Sequence, residues 1–491
     1  MKPNYHRSLF LPVFAVVALG LISAAVAAPF AIQGPGVNPA DFRITVFATN
    51  LNFPLGMVRL ADDSLLVAVS QGASFGSSVG KLLRLTDTNQ DGVADGPGTV
   101  LYTGLPGGQS SLRKSGDLLF VTGQGSGKPI SVLRAGATPA SPLTYVGAID
   151  LTYPSGGWLH PHSALGVRPT PGKPESCDLF FQLGSDKNFT NTTRTVTLSS
   201  AQIPGANGTL QGESIYMLTL TDLGASVVAT NLIRVAKGLR NAAGFAFHPV
   251  TGDLFFEDNG IDGIVNANEP VSADELNRIP AAEVGNGTAP DFGFPSNYTA
   301  YRTAAIVGGN GVQPLAAFQP LPDPFTGSES EGPNDIAFAP PGFPPGLNNG
   351  IFVGFHGKYG AGGIANEENP LVYVNLSNYS YFQFIGNAEP KIGHLDGLLT
   401  TGDSLFAADL ASTGFASNGA STNGVIYQIK SLVTRLGVRM NGNAIELSWP
   451  AGVLQKAGSL SGPWSDVGDA NSPYPVEVDR NSTAVFYRTR N

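Results

Sequence analysis

Cysteine is almost missing from this chain: Cys177 is the single one in 491 residues, so no intramolecular disulfide forms and rigidity must come from packing or metal. Charge is sparse as well, at 13% of residues. With 28 Lys and Arg against 37 Asp and Glu, the formal charge is −9 and no basic stripe stands out, which argues against nucleic acid and anionic membrane surfaces as partners. Long apolar runs are confined to Leu9 to Ile22, after Lys2 and Arg7 and before Ser23-Ala24-Ala25-Val26-Ala27-Ala28. That order is the pattern of a secretory signal peptide, residues 1–27, too short in its apolar part for a bilayer span. The expectation is an exported protein, secreted or periplasmic, with no membrane span after cleavage.

Glycine and proline are plentiful, 62 and 37 residues, which favours many short strands and turns over helices. A unit of two apolar runs split by a turn recurs along the chain. It is seen in Leu55-Gly56-Met57-Val58 with Ser64 to Val69, Gln109 to Leu112 with Asp117 to Val121, and Ser163 to Val167 with Asp178 to Gln182. It returns in Gly244 to Phe247 with Asp253 to Phe256, Asp335 to Phe338 with Gly350 to Gly354, and Asp396 to Leu399 with Ser404 to Ala408. No single unit buries both of its faces, so six copies predict an all-β fold, a six-bladed β-propeller over residues 40–430 whose ring closure completes the core. Uneven spacing places long insertions at Val265 to Asp274 and Ala281 to Glu331, where they shape a ligand mouth. Residues 436–491 read as a small β-sandwich, with Trp449 and Trp464 as core residues.

Chemistry concentrates between Gly238 and Pro295. Gly238-Leu239-Arg240-Asn241 precedes an alternating apolar strand, Glu257-Asp258-Asn259-Gly260-Ile261 follows the next strand, and Ala273-Asp274-Glu275-Leu276-Asn277 adds an acidic cluster. Together they bring a cation, an amide and carboxylates to one loop system. Upstream, Trp158-Leu159-His160-Pro161-His162 precedes the third unit; an imidazole suits proton abstraction because its pKa lies near working pH. Asp87-Thr88-Asn89-Gln90-Asp91-Gly92 has the spacing of a calcium loop, but Gly98 stands where the closing bidentate Glu is needed, and a turn at a blade edge is the expectation.

These motifs resemble the glucose/sorbosone dehydrogenase family, soluble quinoproteins built as six-bladed propellers that use pyrroloquinoline quinone (PQQ) and calcium. The resemblance implies oxidation of an aldose, or a related sugar hydroxyl or aldehyde, by hydride transfer to the quinone, with electrons passing to an unknown acceptor. It implies His160, rather than His162, as the base, with Arg240 and Asn241 stabilising charge on the quinone oxygens. Gln109, Lys358 and His394 are implied as further cofactor contacts. Gly260 and Ile261, through main-chain oxygens, are implied as ligands of the quinone-bound calcium, and Asp274 and Glu275, through carboxylates, as ligands of a second calcium; a solvated acidic loop is the alternative for the last two. Two departures stand out. His394 and Asp396 replace the arginines that one branch of the family brings from its sixth blade, and Leu159 replaces an acid. A carboxylate beside a tricarboxylate cofactor costs binding energy unless a cation intervenes. Two other classes stay open: a calcium-dependent propeller hydrolase of the lactonase kind, with carboxylates converging on the axis, and a non-catalytic propeller that binds carbohydrate or a surface. The oligomeric state is not legible here.

Overall fold

The computed structural model describes residues 28–263, 266, 268–319, 332–356, 371–386, 392, 394–411, 423–433, 436–441, 444–449, 452–459, 462–468, 470–476 and 484–490. The signal segment 1–27 and Lys358 lie outside these residues. Among the described residues no helix is long and apolar enough to cross a membrane.

Six antiparallel sheets, each built around four strands, stand around one axis. Their innermost strands are Met57–Arg59, Gln109–Ser115, Leu165–Pro169, Ala242–Phe247, Pro333–Phe338 and Gly397–Thr400. Each touches the inner strand of the next blade, and Gly397–Thr400 touches Met57–Arg59, so the ring is closed. The second strands, Leu65–Ser70, Leu118–Gly123, Ser176–Leu183, Leu254–Asp258, Gly350–Phe355 and Ser404–Asp409, are buried along their whole length. Neighbouring blades cover both of their faces, which is why these runs are apolar at almost every position instead of alternating. Each of the six sequence units supplies the first two strands of one blade.

The outer strand of blade six comes from the other end of the chain. Phe42–Leu51 hydrogen-bonds along Gly424–Ser431, fastening the beginning of the propeller to its end. Phe47 on this strand meets Phe406 of blade six edge to face, with centroids 5.1 Å apart at 81°. Blade two is larger than the repeat predicts. Thr195–Ser199 and Gly208–Gln211, from the segment between two strands of blade three, add to its edge strand Thr144–Thr152 and make a sheet of six.

Cys177 is buried in Ser176–Leu183, and burial pushes its thiol up to about 12, so it is an inert core group. In the Asp87 loop the carboxylates cap the turn's own amides: Asp87 accepts from Asp91 N at 3.1 Å and from Gly92 N at 2.9 Å. Downstream, two three-stranded sheets share a core of Leu447, Trp449 and Leu454, giving the small sandwich. Trp449 is the core indole; Trp464 lies instead half-exposed under the Arg488 guanidinium, 4.4 Å from its ring centroid.

Ring closure generates a prediction. Phe47→Ala removes an edge-to-face partner and leaves a cavity at the seam, so it lowers the unfolding free energy by about 3–5 kcal/mol. Urea denaturation monitored by intrinsic fluorescence measures this; a loss under 1 kcal/mol would show that the seam does not hold the ring.

Candidate active site

Loops that precede an inner strand and loops that follow a second strand emerge at the same end of a blade, because the two strands are antiparallel neighbours. His160, Arg240, Asn241, Asn259, His356 and Asp396 all lie on such loops or at strand ends facing this mouth. The topology therefore gathers residues that are far apart in sequence.

His160 is stitched to blade three by a pair of backbone bonds, His160 N to Ser185 O (3.0 Å) and Gly184 N to His160 O (3.1 Å), and Ser185 N continues to Arg240 O (2.7 Å). Gly184 is required here: a Cβ would lie 2.7 Å from both the Arg240 carbonyl oxygen and His160 Cβ. The side-chain tautomer follows from one hydroxyl. Ser185 Oγ donates its hydrogen to Lys187 O (2.6 Å), so toward His160 Nδ1, at 3.0 Å, it can only accept. Nδ1 thus carries the proton and Nε2 keeps its lone pair. Burial, then the Arg240 charge, hold His160 well below the usual imidazole range, so it is neutral at pH 7.

His162, two residues on, is sealed. It is fully buried, its Nδ1 lies 2.9 Å from Tyr153 Oη, and the two rings stack within 8°. Of the two histidines, His162 is the fully buried one and His160 the partly exposed one.

Arg240 is buried and saturated by neighbours: Nη2 donates to Asn188 Oδ1 (2.6 Å) and Asp262 Oδ2 (2.8 Å), Nε to Asn188 O (3.3 Å), and Nη1 to Asn259 O (3.3 Å). The sequence did not single out Asn188 or Asp262 as partners. Asp258 underpins the Arg-Asn pair from below by accepting from Arg240 N (3.0 Å) and Asn241 N (2.7 Å). Asn241 stays half-exposed at the mouth, its amide 3.3 Å from Asn259 Oδ1.

The two carboxylates expected to share a second calcium do not meet. Glu275 opens the strand Glu275–Ile279, so Asp274 and Glu275 point to opposite faces. Asp274 anchors two loops instead, accepting from Gly260 N (2.7 Å) and Gly332 N (3.0 Å), and shares the blade-five side with Glu257. Neither Glu257 oxygen has a hydrogen-bond partner, and burial pushes this carboxyl well above its usual range, so it stays protonated. The Ile261 carbonyl is tied to Ser272 N (2.9 Å). Glu275 turns toward Asp258, Asn297 and Thr299, around a cleft of about 20 Å³. Burial pushes Asp258 up to about 7, and burial followed by the Asp258 charge pushes Glu275 up to about 8. Two buried oxygen donors of this kind, around room for a single ion, fit a hard divalent cation, although among the described residues no group of three or more His, Cys, Asp or Glu forms a metal cluster.

Three cofactor-contact expectations fare differently. Gln109 is buried in the wall between blades one and two against Gly80. His394 is fully buried, with Nδ1 on the His356 carbonyl and its own carbonyl accepting from Leu410 N (2.9 Å), so it braces the loop and does not face the mouth. Lys358 lies outside the described residues. The partner of Asp396 is His356, which the sequence reading passed over in favour of Lys358: its Nδ1 lies 2.8 Å from Asp396 Oδ1, and it is 31% exposed. A carboxylate forty residues away gives no local signal of that pairing.

Buried neutral His162 makes a pH prediction. Its folded value is about 4 against 6.5 when free, so in that window the unfolded chain binds a proton and the fold does not. The associated stability is complete above about pH 6.5 and is lost as pH falls toward 4, by about 3 kcal/mol in all. Urea unfolding across that range measures the slope; His162→Gln flattens it, and an unchanged slope in the variant contradicts the assignment.

No family model matches the chain. An uncharacterized protein of Borreliella burgdorferi is 39% identical over 61 residues, 12% of this chain and 14% of that protein, so the chain matches only a small part of its length. Solved structures share the fold over most of the chain. A carbohydrate-active enzyme of Family AA12 from Trichoderma reesei covers 83% of this chain and 100% of its own, at TM-score 0.53 and 14% identity. The PQQ domain of pyranose dehydrogenase from Coprinopsis cinerea, in holo form, covers 82% and 97%, at TM-score 0.51 and 16% identity. A calcium structure of the Trichoderma enzyme gives 0.50. The chain thus has the propeller fold of these proteins, the group of folds to which its motifs pointed.

Proposed function

We propose that the protein is an exported PQQ- and calcium-dependent dehydrogenase that oxidises an aldose or a related sugar hydroxyl or aldehyde. The observation that carries this reading is the fixed tautomer of His160, a neutral imidazole with its lone pair on Nε2 and backbone-linked to Arg240 through Ser185.

When bound, the quinone supplies the hydride acceptor. Asn241 would supply an amide donor for its oxygens, the buried Arg240 guanidinium would supply positive charge beside them, and His356 pairs with the Asp396 carboxylate that the sequence singled out. His160 holds the proton removed from the sugar hydroxyl at Nε2, while Ser185 keeps the ring oriented through Nδ1. Asp258 and Glu275, in their ionised forms, would hold calcium, and Asp258 accepts from Arg240 N and Asn241 N of the turn above it. The hydrolase reading calls for carboxylates converging on the axis to hold a metal; Asp335 reaches the axis but is paired with Arg113, and Asp258 and Glu275 sit within blade four, on the side toward blade three.

Purified protein loaded with PQQ and calcium reduces an artificial dye when an aldose is added. His160→Gln lowers kcat by about 10²–10⁴-fold while quinone binding, followed by absorbance, stays intact. Wild-type protein that binds no quinone would end this reading. Calcium at about 100 times its Kd stabilises the fold by about 2.7 kcal/mol, seen as a rise in Tm. Glu275→Gln removes most of that rise; a full rise in the variant would place calcium elsewhere.

A further inference from the structure

We infer that the protein carries a second small-molecule site, for an amphipathic anion with an apolar body, at the end of the central axis away from the mouth. This inference does not rest on the proposed dehydrogenase activity.

The inner strands run from the mouth to the far end, and their distal halves surround a chamber of about 730 Å³, within the range of roughly 300–1,000 Å³ usual for ligand sites. Its walls are apolar: Met57, Val167, Phe245, Phe338 and Leu398 come from five different blades. The sixth, blade two, contributes Arg113 and Lys114. Among the described residues no carboxylate lines the chamber, in a chain with nine more acidic than basic residues, 37 against 28.

Arg113 spans from blade two to Asp335 of blade five at 2.7 Å. Asp335 precedes the chamber-lining residues Ile336 and Ala337 on its strand, so this ion pair crosses the axis on the mouth side of the chamber and separates the two ends. Asp335 also accepts from Ile336 N (3.0 Å) and Leu398 N (3.2 Å), which holds the partition in place. Lys114 Nζ donates to the Gly116 carbonyl (2.6 Å), a neutral acceptor that leaves the ammonium charge uncompensated. His248 adds a directed donor. Its Nδ1 accepts from Val250 N (3.3 Å) and Thr251 N (3.0 Å), so the neutral ring carries its hydrogen on Nε2, and its edge packs on Phe338 with centroids 5.0 Å apart. Apolar walls with Lys114 and the His248 donor, the other polar side chains being the neutral Asn348, Asn349 and Thr400 and the paired Arg113, select an alkyl or aryl chain ending in a single carboxylate or sulfonate.

The test is isothermal titration of the full-length mature protein with decanoate, decanol and decyltrimethylammonium, each below its micelle concentration. Decanoate binds saturably at one site, about tenfold tighter than the cation of equal chain length. Lys114→Gln weakens decanoate by about fivefold and leaves decanol unchanged. Ala246→Phe, which fills the chamber from the blade-four wall, abolishes both; its Tm reports whether the fold survives, and if it does not, the charge comparison and Lys114→Gln decide. No saturable binding, equal affinity for the cation, or decanoate affinity untouched by Lys114→Gln would each overturn the site.

Discussion

One row of hydrogen bonds carries the architecture: Phe42–Leu51 against Gly424–Ser431. A blade is covered only when it has a neighbour on each side, so an open ring would expose the first and last blades along apolar faces. Closing it with a strand from the far end of the chain makes the six inner strands one continuous lining, and the ends of that lining become two separate binding environments. At one end loops bring polar groups together; at the other the strands leave an apolar chamber. The Arg113–Asp335 ion pair divides them.

Within the mouth, electrostatics are balanced locally. Arg240 is buried and would be costly alone, but Asp262, two oxygens of Asn188 and the Asn259 carbonyl surround it. Asp396 at the sixth-blade departure is hydrogen-bonded to His356. Asp258 and Glu275 are the exception. Both are pushed toward neutrality by burial, and the reading that treats them as cation ligands accounts for the cost of placing two carboxyls in one cleft.

The repeat was legible in sequence because strands covered on both faces are apolar at nearly every position, and each of the six doubled runs became the first two strands of a blade. The closeness of His160 to Arg240-Asn241 was legible from their places before the third and fourth units, and Ser185 links them through backbone bonds. What stayed hidden depended on direction and distance. Asp274 and Glu275 look like a pair in sequence, yet the alternation of a strand sends them to opposite faces. His394 reads as a cofactor contact beside Asp396, but it is fully buried with Nδ1 on the His356 carbonyl. Nothing near His356 announces Asp396, and nothing in Phe42 to Leu51 announces that its partner lies at residue 424 or beyond. The extra strands of blade two are short alternating segments that carry no sign of which sheet they join.

The most direct test of the central claim is a crystal structure of the mature protein grown with PQQ and calcium. The account predicts quinone density at the mouth, in contact with Asn241 and within reach of His160, Arg240 and His356, and a calcium ion between Asp258 and Glu275. Density elsewhere on the propeller, or a mouth left empty at saturating quinone, would contradict it.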